Sequence, residues 1–162
     1  MKLNHRPVKA SDVKIICGFP QNAQEFFFMF PKAHFPLTET QLITAIAQRF
    51  DSTVAEFNGT VVGFANFYRA ERNGVCCIGN VIVSPSARGE GVATFIVETM
   101  TGLAFERYGA KEVQISCFNE NMAGLLLYPK LGFVPYAIEE RPSLGNGRSA
   151  LIHMTRSRSS TD

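Results

Sequence analysis

The sequence predicts a single mixed α/β domain in which antiparallel hairpins lead into one parallel β-α-β crossover. Two dipeptides, Asn58-Gly59 and Asn73-Gly74, each separate two strand-like runs, and Asn-Gly favours the two-residue type I′ hairpin turn. An almost unbroken apolar run from Val75 to Val83 is typical of a strand that is buried on both faces. A helical pattern and a further strand follow, and such a crossover joins parallel strands with a right-handed connection.

The first third of the chain contains one predicted strand and two predicted helices. The strand runs from about Leu3 to Val8, and Ser11 then precedes apolar residues at helical spacing, as an N-cap residue does. Thr38 and Gln41 have the spacing of a capping box. This spacing predicts a second helix that begins there and continues to about Arg49.

Periodicity also predicts the remaining elements. Apolar residues recur at helical spacing from Val92 to Ala104, and Gly109 follows them as a C-cap. Alternation then predicts a half-buried strand at 112–117, and Asn121 begins a short helix that reaches about Leu131. The other predicted strands are Thr53–Phe57, Val61–Tyr68, Phe133–Glu139 and Ser149–Thr155.

The composition agrees with one domain over residues 1–155 and a disordered tail at 156–162. The chain has 162 residues, 46% of them apolar, which is enough to bury a full core. A net charge of +2 does not suggest a nucleic-acid partner, and no apolar run approaches the ~20 residues of a membrane span. The N-terminus lacks the apolar core of a signal peptide, and so we expect a cytoplasmic protein without a membrane partner.

The cysteines Cys17, Cys76, Cys77 and Cys117 do not have the spacing of a metal site. Most of them lie in apolar runs, and so we expect reduced core thiols and no bound metal. Cys117 could in principle be a nucleophile, but a small buried hydrophobic residue is the better interpretation.

A basic, glycine-rich turn, Arg88-Gly89-Glu90-Gly91-Val92-Ala93, joins the buried strand to the helix that follows it. A turn at this place directs several unpaired backbone N–H groups and the positive end of the helix dipole to one point. Gly89 and Gly91 can adopt positive φ and let an anion approach the backbone, and Arg88 adds a charged fork. The turn predicts a site for a phosphate or pyrophosphate, although a solvated surface turn would have the same sequence.

A second motif follows about thirty residues later, in the segment Asn121-Met122-Ala123-Gly124-Leu125-Leu126-Leu127-Tyr128-Pro129-Lys130-Leu131-Gly132-Phe133. Together with the segment Val81–Ala93, it resembles two motifs of the GNAT superfamily of acyl-CoA-dependent N-acetyltransferases. The first motif is Arg/Gln-x-x-Gly-x-Gly/Ala, and the second is Asn-x-x-Ala-x-x-x-Tyr-x-Lys-x-Gly-Phe, with Gly124 here in place of alanine. The resemblance implies a three-layer fold with a mixed, mostly antiparallel sheet of six to seven strands, splayed at a cofactor crevice, and about four helices on its two faces.

The resemblance also implies that acetyl-CoA is the cofactor. The pantetheine arm would pair with the backbone of Val81 and Val83, where the strand carries a bulge and splays from its parallel neighbour. A backbone N–H there would polarise the thioester carbonyl. Asn121 would bind the pantetheine or adenosine side, and Tyr128 would protonate the leaving thiolate. The implied cofactor-binding residues are Val81, Ile82, Val83, Arg88, Gly89, Glu90, Gly91, Val92, Ala93, Thr94, Asn121, Tyr128 and Lys130.

The sequence does not identify the general base that such a reaction requires. An amine with a pKa near that of lysine, about 10.4, is mostly protonated at neutral pH and cannot attack. The family often places a carboxylate on the strand before the cofactor motif, but Val75 to Val83 contains none. Asn80 is the only polar side chain in that strand, and it could hold a water relay; with Tyr128 it forms the implied catalytic pair. Glu56 and Glu139 are alternatives that the sequence does not rank.

The segment from Glu25 to Pro36 is unusually rich in phenylalanine. In the family, the connection between the first two helices lines the acceptor site, and so Phe27, Phe28 and Phe30 are candidate substrate-binding residues. Aromatic residues that fill the core under a long loop would give the same pattern. His34 could be a base, but a structural role is the better interpretation for a histidine between aromatic residues.

The two motifs predict an enzyme that transfers the acetyl group of acetyl-CoA to a primary amine, in a small molecule or a peptide, by direct attack in a ternary complex. The alternative is a non-catalytic acyl-CoA-binding sensor. It is supported by the missing strand carboxylate and by Pro129, which would end the helix early and shift Tyr128. A single-strand nucleic-acid binder fits less well, because aromatic and basic residues are not interleaved. Dimers are common among the proteins that the chain resembles, which makes a homodimer a candidate assembly.

Overall fold

The computed structural model describes residues 2–159, which contain seven strands and five α-helices. In chain order these are β1 (Leu3–Pro7), α1 (Val13–Cys17), α2 (Ala23–Met29), α3 (Glu39–Gln48), β2 (Phe50–Phe57), β3 (Thr60–Ala70), β4 (Val75–Val83), α4 (Val92–Arg107), β5 (Glu112–Phe118), α5 (Met122–Lys130), β6 (Val134–Pro142) and β7 (Arg148–Ser157). Two short 3-10 turns, Ala10–Asp12 and Pro85–Ala87, precede α1 and α4.

The strands form one sheet in the order β1-β2-β3-β4-β5-β7-β6. In the described part of the chain β4 and β5 are parallel, and every other neighbouring pair is antiparallel. This arrangement confirms the predicted mixed, mostly antiparallel sheet and its crossover. β4 has the predicted bounds and lies in the middle of the sheet, where strands on both sides cover its edges.

Helices cover both faces of the sheet. On one face α1, α2 and α3 pack through buried side chains such as Ile16, Phe26 and Leu42. On the other face α4 and α5 pack through Ile96 and Tyr128. Each fully buried aliphatic or aromatic side chain contributes about 1.5–3 kcal/mol, and so the predicted three-layer arrangement is held by two apolar interfaces. Between residues 2 and 159, no helix has the length and apolar character needed to cross a bilayer.

The helix α2 is the one element that the sequence prediction omits. It lies in the phenylalanine-rich segment, which was expected to be a connection between helices. Asn22 is its N-cap and accepts a hydrogen bond from Glu25 N at 2.9 Å. The Asn-x-x-Glu spacing is therefore the signal in the sequence that identifies this helix.

Two helix starts differ from the prediction in detail. Ser11 is not an N-cap residue, because it lies inside the first 3-10 turn and Asp12 accepts from Lys9 N at 2.7 Å instead. Thr38 is the N-cap of α3, as predicted, and accepts from Gln41 N at 3.2 Å. The Gln41 side chain does not complete the capping box, since it bonds to the backbone of the preceding loop.

The two Asn-Gly turns have different geometries. Asn58 and Gly59 have φ of 51° and 77°, as the two central residues of a type I′ turn do, and this confirms the first hairpin. In the second hairpin Asn73 has a φ of 56°, but Gly74 N donates to Glu71 O, and the connection is longer than two residues. The second hairpin is present, and its predicted two-residue turn is wrong.

The last strand is longer than predicted. β7 includes Arg156 and Ser157, because Ser157 pairs with Glu112 in β5. The Arg156 side chain also donates to Glu98 Oε1 at 3.1 Å. The predicted disordered tail is therefore wrong for these two residues, and its last part, 160–162, lies outside the described residues.

Helix α5 continues through Pro129 to Lys130, so the early end predicted from this proline is wrong. A proline in the last turn removes one backbone donor. The turn is held nonetheless, because Tyr128 O accepts hydrogen bonds from Leu131 N and Phe133 N. Tyr128 consequently keeps a helical position.

Candidate active site

Strands β4 and β5 pair along only part of their length. Parallel pairing runs from Val75 opposite Glu112 to Ile78 opposite Ile115, and the described parts of the two strands form no further pair. Asn80 has a φ of 52°, and the register between β3 and β4 shifts around it, so that β4 carries a bulge here. The strands splay apart beyond the bulge, which confirms the splay that the resemblance implies.

A cavity of about 780 Å³ occupies the gap between the splayed strands. Its walls come from both layers of helices, because Tyr128 lies on the α5 side of the sheet while Gln48 and Arg49 lie on the α3 side. Val81 of β4 and Ser116 of β5 line it between these two ends. The cavity therefore forms a passage between the splayed strands, with walls on both sides of the sheet.

The loop between β4 and α4 has the backbone geometry of an anion site. Gly89 and Gly91 have φ of 80° and 83°, and an added Cβ on either would meet no atom within 4 Å. Val92, Ala93 and Thr94 form the first turn of α4, and no group in residues 2–159 accepts a hydrogen bond from their N–H groups. These donors and the positive end of the helix dipole lie beside open space, which fits the pyrophosphate of the implied cofactor.

The Arg88 side chain does not take the phosphate-binding position predicted for it. It forms a two-point ion pair with Glu25 of α2, at 2.7 and 2.9 Å, and donates to Phe19 O. These hydrogen bonds from Arg88 hold the pKa of Glu25 below its usual value. Arg88 thus fastens the glycine loop to α2, a contact that sequence reasoning missed because 63 residues separate the two partners.

The other predicted cofactor-binding residues differ in how they meet the crevice. Val81 lines the cavity, Val83 is half-buried at the end of β4, and Glu90 is exposed in the loop. Ile82 packs into the α1–α3 layer, so only its backbone can face a ligand in the crevice. Lys130 is exposed at the end of α5 and is not part of the cavity wall.

Tyr128 forms part of the cavity wall, with 7% of its surface exposed. Burial raises the pKa of its phenol, with a smaller contribution from Cys117, and so the hydroxyl stays protonated at neutral pH. Within residues 2–159 this hydroxyl forms no hydrogen bond to another protein group. A neutral phenol with a free proton is what the predicted general acid requires.

The packing around α5 explains why Gly124 replaces the usual alanine of the motif. Asn121 is the N-cap and accepts from Gly124 N at 3.1 Å, while its side chain also lines the cavity. A Cβ added to Gly124 would lie 2.7 Å from Cys117 Sγ and 3.1 Å from Tyr128 Cε2. Burial raises the pKa of Cys117 to about 12, so this thiol is a packing group, as interpreted from the sequence.

We expect Gly124→Ala to lower the free energy of unfolding by about 1–3 kcal/mol, because the added methyl group displaces Cys117 or Tyr128. Gly102→Ala in α4 is the control, since its Cβ would meet no atom within 4 Å. In that variant alanine should stabilise the helix by about 0.5–1 kcal/mol. Denaturant unfolding measures both changes, and a Gly124→Ala variant as stable as the unmodified protein would contradict the packing argument.

Asn80, the predicted holder of a water relay, is buried at the bulge with 3% of its surface exposed. Its Nδ2 donates to Met29 O at 2.8 Å, and its Oδ1 accepts from Asn66 Nδ2 at 3.0 Å. Both ends of the amide are therefore engaged by protein groups. They tie the bulge of β4 to the end of α2 and to β3, which makes Asn80 a positioning residue at the splay.

A hydrogen-bonded row of Glu139, His153 and Ser116 reaches the cavity from β6, β7 and β5. His153 Nδ1 lies 2.7 Å from Ser116 Oγ, and His153 Nε2 lies 3.0 Å from Glu139 Oε2. Ser116 is the first β5 residue beyond the last pair with β4, and both Ser116 and His153 line the cavity. Hydrogen bonds from Arg141 and then His153 lower the pKa of Glu139 to about 2, which keeps this carboxylate ionised.

Sequence reasoning found Glu139 in this row but missed Ser116 and His153. The two are placed directly opposite each other by the register of β5 with β7, which the sequence does not reveal. Glu56, the other predicted carboxylate, is not brought to the cavity, because it lies on β2 in an ion pair with Arg6 at 3.1 Å.

The phenylalanine-rich segment contributes to two adjoining cavities. Phe28 and Phe30 line the main cavity, as expected for acceptor-site residues. Phe27 instead stacks on Phe118, with 4.5 Å between ring centroids, and lines a second cavity of about 530 Å³. His34 lies at the rim of both cavities. The structure therefore places two of the three predicted aromatic residues at the passage.

A family model described as the acetyltransferase (GNAT) family matches residues 20–133 of this chain. This range covers most of the chain and includes both the glycine loop and α5. The matched range thus contains both segments on which the predicted resemblance rests.

Solved structures share this fold at low sequence identity. A ribosomal-protein-alanine N-acetyltransferase from Brucella melitensis gives a TM-score of 0.79 at 19% identity, over 96% of this chain and 99% of that chain. An N-acetyltransferase from Staphylococcus aureus gives 0.77 at 19%, over 97% and 99%. The protein yncA from Salmonella typhimurium, solved with its cofactor acetyl-CoA, gives 0.75 at 19%, over 98% and 95%. These similarities confirm the predicted fold class.

The splayed strands, the glycine loop and the family match lead to one assignment. A crevice between two parted strands, with an anion site beside it, can accommodate the pantetheine arm and the pyrophosphate of coenzyme A, and both features are present here. The chain belongs to the GNAT acetyltransferase family, and it is an acyltransferase whose cofactor is acetyl-CoA.

Proposed function

We propose that this acyltransferase moves the acetyl group of acetyl-CoA to a primary amine, in a small molecule or a peptide, by direct attack while both reactants are bound. The passage between β4 and β5 supports this proposal most strongly, because its walls come from both sides of the sheet. The cofactor can enter from the α4 side and the amine from the α3 side. The name of the Brucella neighbour specifies an alanine of a ribosomal protein as its acceptor, which agrees with an amine acceptor here.

In this proposal the backbone from β4 to the start of α4 holds the cofactor. The N–H groups from Gly89 to Thr94 bind the pyrophosphate, and the backbone of 81–83 pairs with the pantetheine arm as an added strand would. The side chain of Arg88 holds the loop in place by its ion pair with Glu25, and its backbone N–H can donate to the pyrophosphate as well. Asn121 and Lys130 are the proposed contacts from α5. When bound, acetyl-CoA supplies the thioester carbonyl carbon that the amine attacks.

Two proton routes reach the splay from opposite sides. On the acceptor side, Ser116 Oγ takes a proton from the attacking amine as it passes its own proton to His153 Nδ1. Glu139 accepts the Nε2–H hydrogen bond and stabilises the charged imidazole that results. On the cofactor side, Tyr128 retains its proton because burial raises its pKa, and it donates this proton to the leaving thiolate. Asn80 lies between the two routes, and its hydrogen bonds to Asn66 and Met29 hold the bulge of β4 in place.

The sensor alternative rests on the missing carboxylate of β4 and on Pro129. The row that begins at Glu139 supplies a carboxylate from a different strand. Helix α5 also continues through Pro129 and leaves Tyr128 in the cavity wall. Neither feature of the sequence therefore argues against turnover, and we propose catalysis.

The variant Tyr128→Phe tests this function. We expect kcat for amine-dependent thiol release to fall roughly 100-fold, because the leaving thiolate loses its acid. The Kd for acetyl-CoA and the free energy of unfolding should change little, since the hydroxyl forms no hydrogen bond to a protein group within residues 2–159. Thiol release is followed with a chromogenic disulfide, using a panel of amines. Binding of acetyl-CoA without turnover for any amine would favour the sensor instead.

Two further proposals concern the protein as a whole. A cytoplasmic location is supported by the four cysteines, which are all free. Cell fractionation tests this proposal. A homodimer is supported by the resemblance alone, and sedimentation velocity tests it.

A further inference from the structure

Arg49 places a guanidinium on the acceptor side of the passage. It follows the C-terminal end of α3, is half-buried, and lines the main cavity. The guanidinium carbon lies 5.5 Å from the centre of the Phe30 ring and 5.7 Å from that of Tyr68, so the group is held between two aromatic residues. A single hydrogen bond at 3.2 Å, from Nη1 to Asn66 Oδ1, completes its contacts within residues 2–159.

The charge of Arg49 is therefore not matched by a carboxylate in the described structure. Buried or half-buried charges are normally paired, because removal from water is costly. Burial correspondingly lowers the pKa of Arg49, the direction expected for an unpaired cation. A guanidinium has five N–H donors in a planar fork, and most of those of Arg49 remain available to a ligand in the cavity.

The lining of the main cavity has an excess of positive charge. Lys32, Arg49 and Arg141 lie in its walls, and no aspartate or glutamate in residues 2–159 does. Arg141 is already paired with Glu139 at 2.8 Å, and Lys32 is exposed on a loop. Arg49 is thus the cation best placed to receive an anion inside the cavity.

This anion is not a phosphate of the cofactor. None of the residues 88–94, where the proposed pyrophosphate site lies, forms part of the cavity wall. Arg49 is instead beside Gly79, because a Cβ added to Gly79 would lie 2.8 Å from Arg49 Nη1. Gly79 and Ser116 are the first residues beyond the last β4–β5 pair, so Arg49 lies close to where the amine must react.

We propose that Arg49 binds a carboxylate of the acceptor, and that the acceptor is a small α-amino acid whose amine faces Ser116. This inference rests on the proposed function and names its substrate class. Neighbouring strands are about 4.8 Å apart and splay further here, and each hydrogen bond adds about 2.9 Å. In an α-amino acid the amine and the carboxylate are attached to the same carbon atom. Such a molecule can therefore place its amine at Ser116 while its carboxylate contacts Arg49. The aromatic residues Phe28 and Phe30 favour an apolar side chain on this amino acid.

Calorimetric titration of the protein saturated with coenzyme A tests the proposal without requiring turnover. The ligands are L-leucine and L-phenylalanine, each paired with its C-terminal amide and with a tripeptide that begins with the same residue. We expect at least one free amino acid to bind at least about ten-fold more tightly than its amide and its tripeptide, because only it carries the carboxylate next to the amine. Arg49→Gln should remove this preference.

Two further variants separate the anion contact from charge and folding. Gly79→Ala retains the charge but displaces the guanidinium, since the new Cβ would lie 2.8 Å from both Arg49 Nη1 and Tyr68 Cδ1, and it should also reduce the preference. Arg69→Gln removes an exposed charge that is paired with Glu71 outside the cavity, and it should leave the preference unchanged. Circular dichroism establishes that each variant is folded.

Four outcomes overturn the inference. The first three are equal or weaker binding of the amino acids than of their amides, a preference that survives in folded Arg49→Gln, and no detectable binding of any amino acid tested. The fourth is tightest binding of the tripeptides, which would assign the site to a protein terminus instead. Each of these results leaves amine acetylation itself intact, because that activity is tested separately by thiol release with a panel of amines.

Discussion

A double substitution of Gly89 and Gly91 by valine is expected to raise the Kd for acetyl-CoA at least about 100-fold while the protein remains folded. The effect is large because the site is made of backbone. Both glycines have a φ near 80°, and a Cβ on either would project into open space. A branched side chain there blocks the approach of phosphate oxygens to several N–H groups at once, and each charge-assisted bond contributes about 1.5–3 kcal/mol.

Calorimetric titration with acetyl-CoA measures this change, and Gly59→Val is the matched control. Gly59 has a φ of 77° and likewise has no atom within 4 Å of an added Cβ, but it lies in the β2–β3 turn. Its substitution causes the same kind of backbone strain outside the site, and should leave the Kd within about two-fold. Micromolar binding by a folded double variant would show that the glycine loop is not the pyrophosphate site.

Local features of the site could be predicted from the sequence because they depend on neighbours along the chain. The glycine loop needs only a buried strand, two glycines and a helix start, all between Val75 and Val92, and it has the expected conformation. The Asn121 cap and the position of Tyr128 in α5 depend in the same way on one short segment. The bulge at Asn80 was implied by the resemblance, and a residue that tolerates positive φ stands there.

Features that depend on distant partners could not be predicted. The Arg88 side chain was expected at the phosphate, but the helix α2, which was itself not predicted, brings Glu25 to it. Ser116 and His153 meet only because β5 and β7 are neighbours in a particular register. A shift of one residue in that register would place the two side chains on opposite faces of the sheet, and periodicity alone does not fix it.

The row of Ser116, His153 and Glu139 has the geometry of an acyl-accepting serine as well as that of a proton relay. The two mechanisms differ in whether the enzyme itself carries the acetyl group. We expect no mass increase after incubation with acetyl-CoA alone, because direct attack leaves the serine unmodified. A peptide that contains acetylated Ser116 would contradict the ternary-complex mechanism.

The variant His153→Gln is expected to lower kcat by roughly 10²–10⁴-fold, because an amide can hold Ser116 in place but cannot take its proton. Glu139 stays ionised throughout the working range, because its pKa is lowered to about 2. The KM for acetyl-CoA should change little.

A double-mutant cycle distinguishes a relay from two separate contributions. Ser116→Ala should lower kcat nearly as much as His153→Gln does. The double variant should have a kcat only slightly lower than either single variant, because both substitutions interrupt the same proton route. His5→Gln on the edge strand β1 is the control, since this histidine is exposed and outside the cavity. If the losses in kcat multiply in the double variant, or if folded His153→Gln retains its activity, the proton leaves the amine by another path. Water held near Asn80 would then be the next group to test.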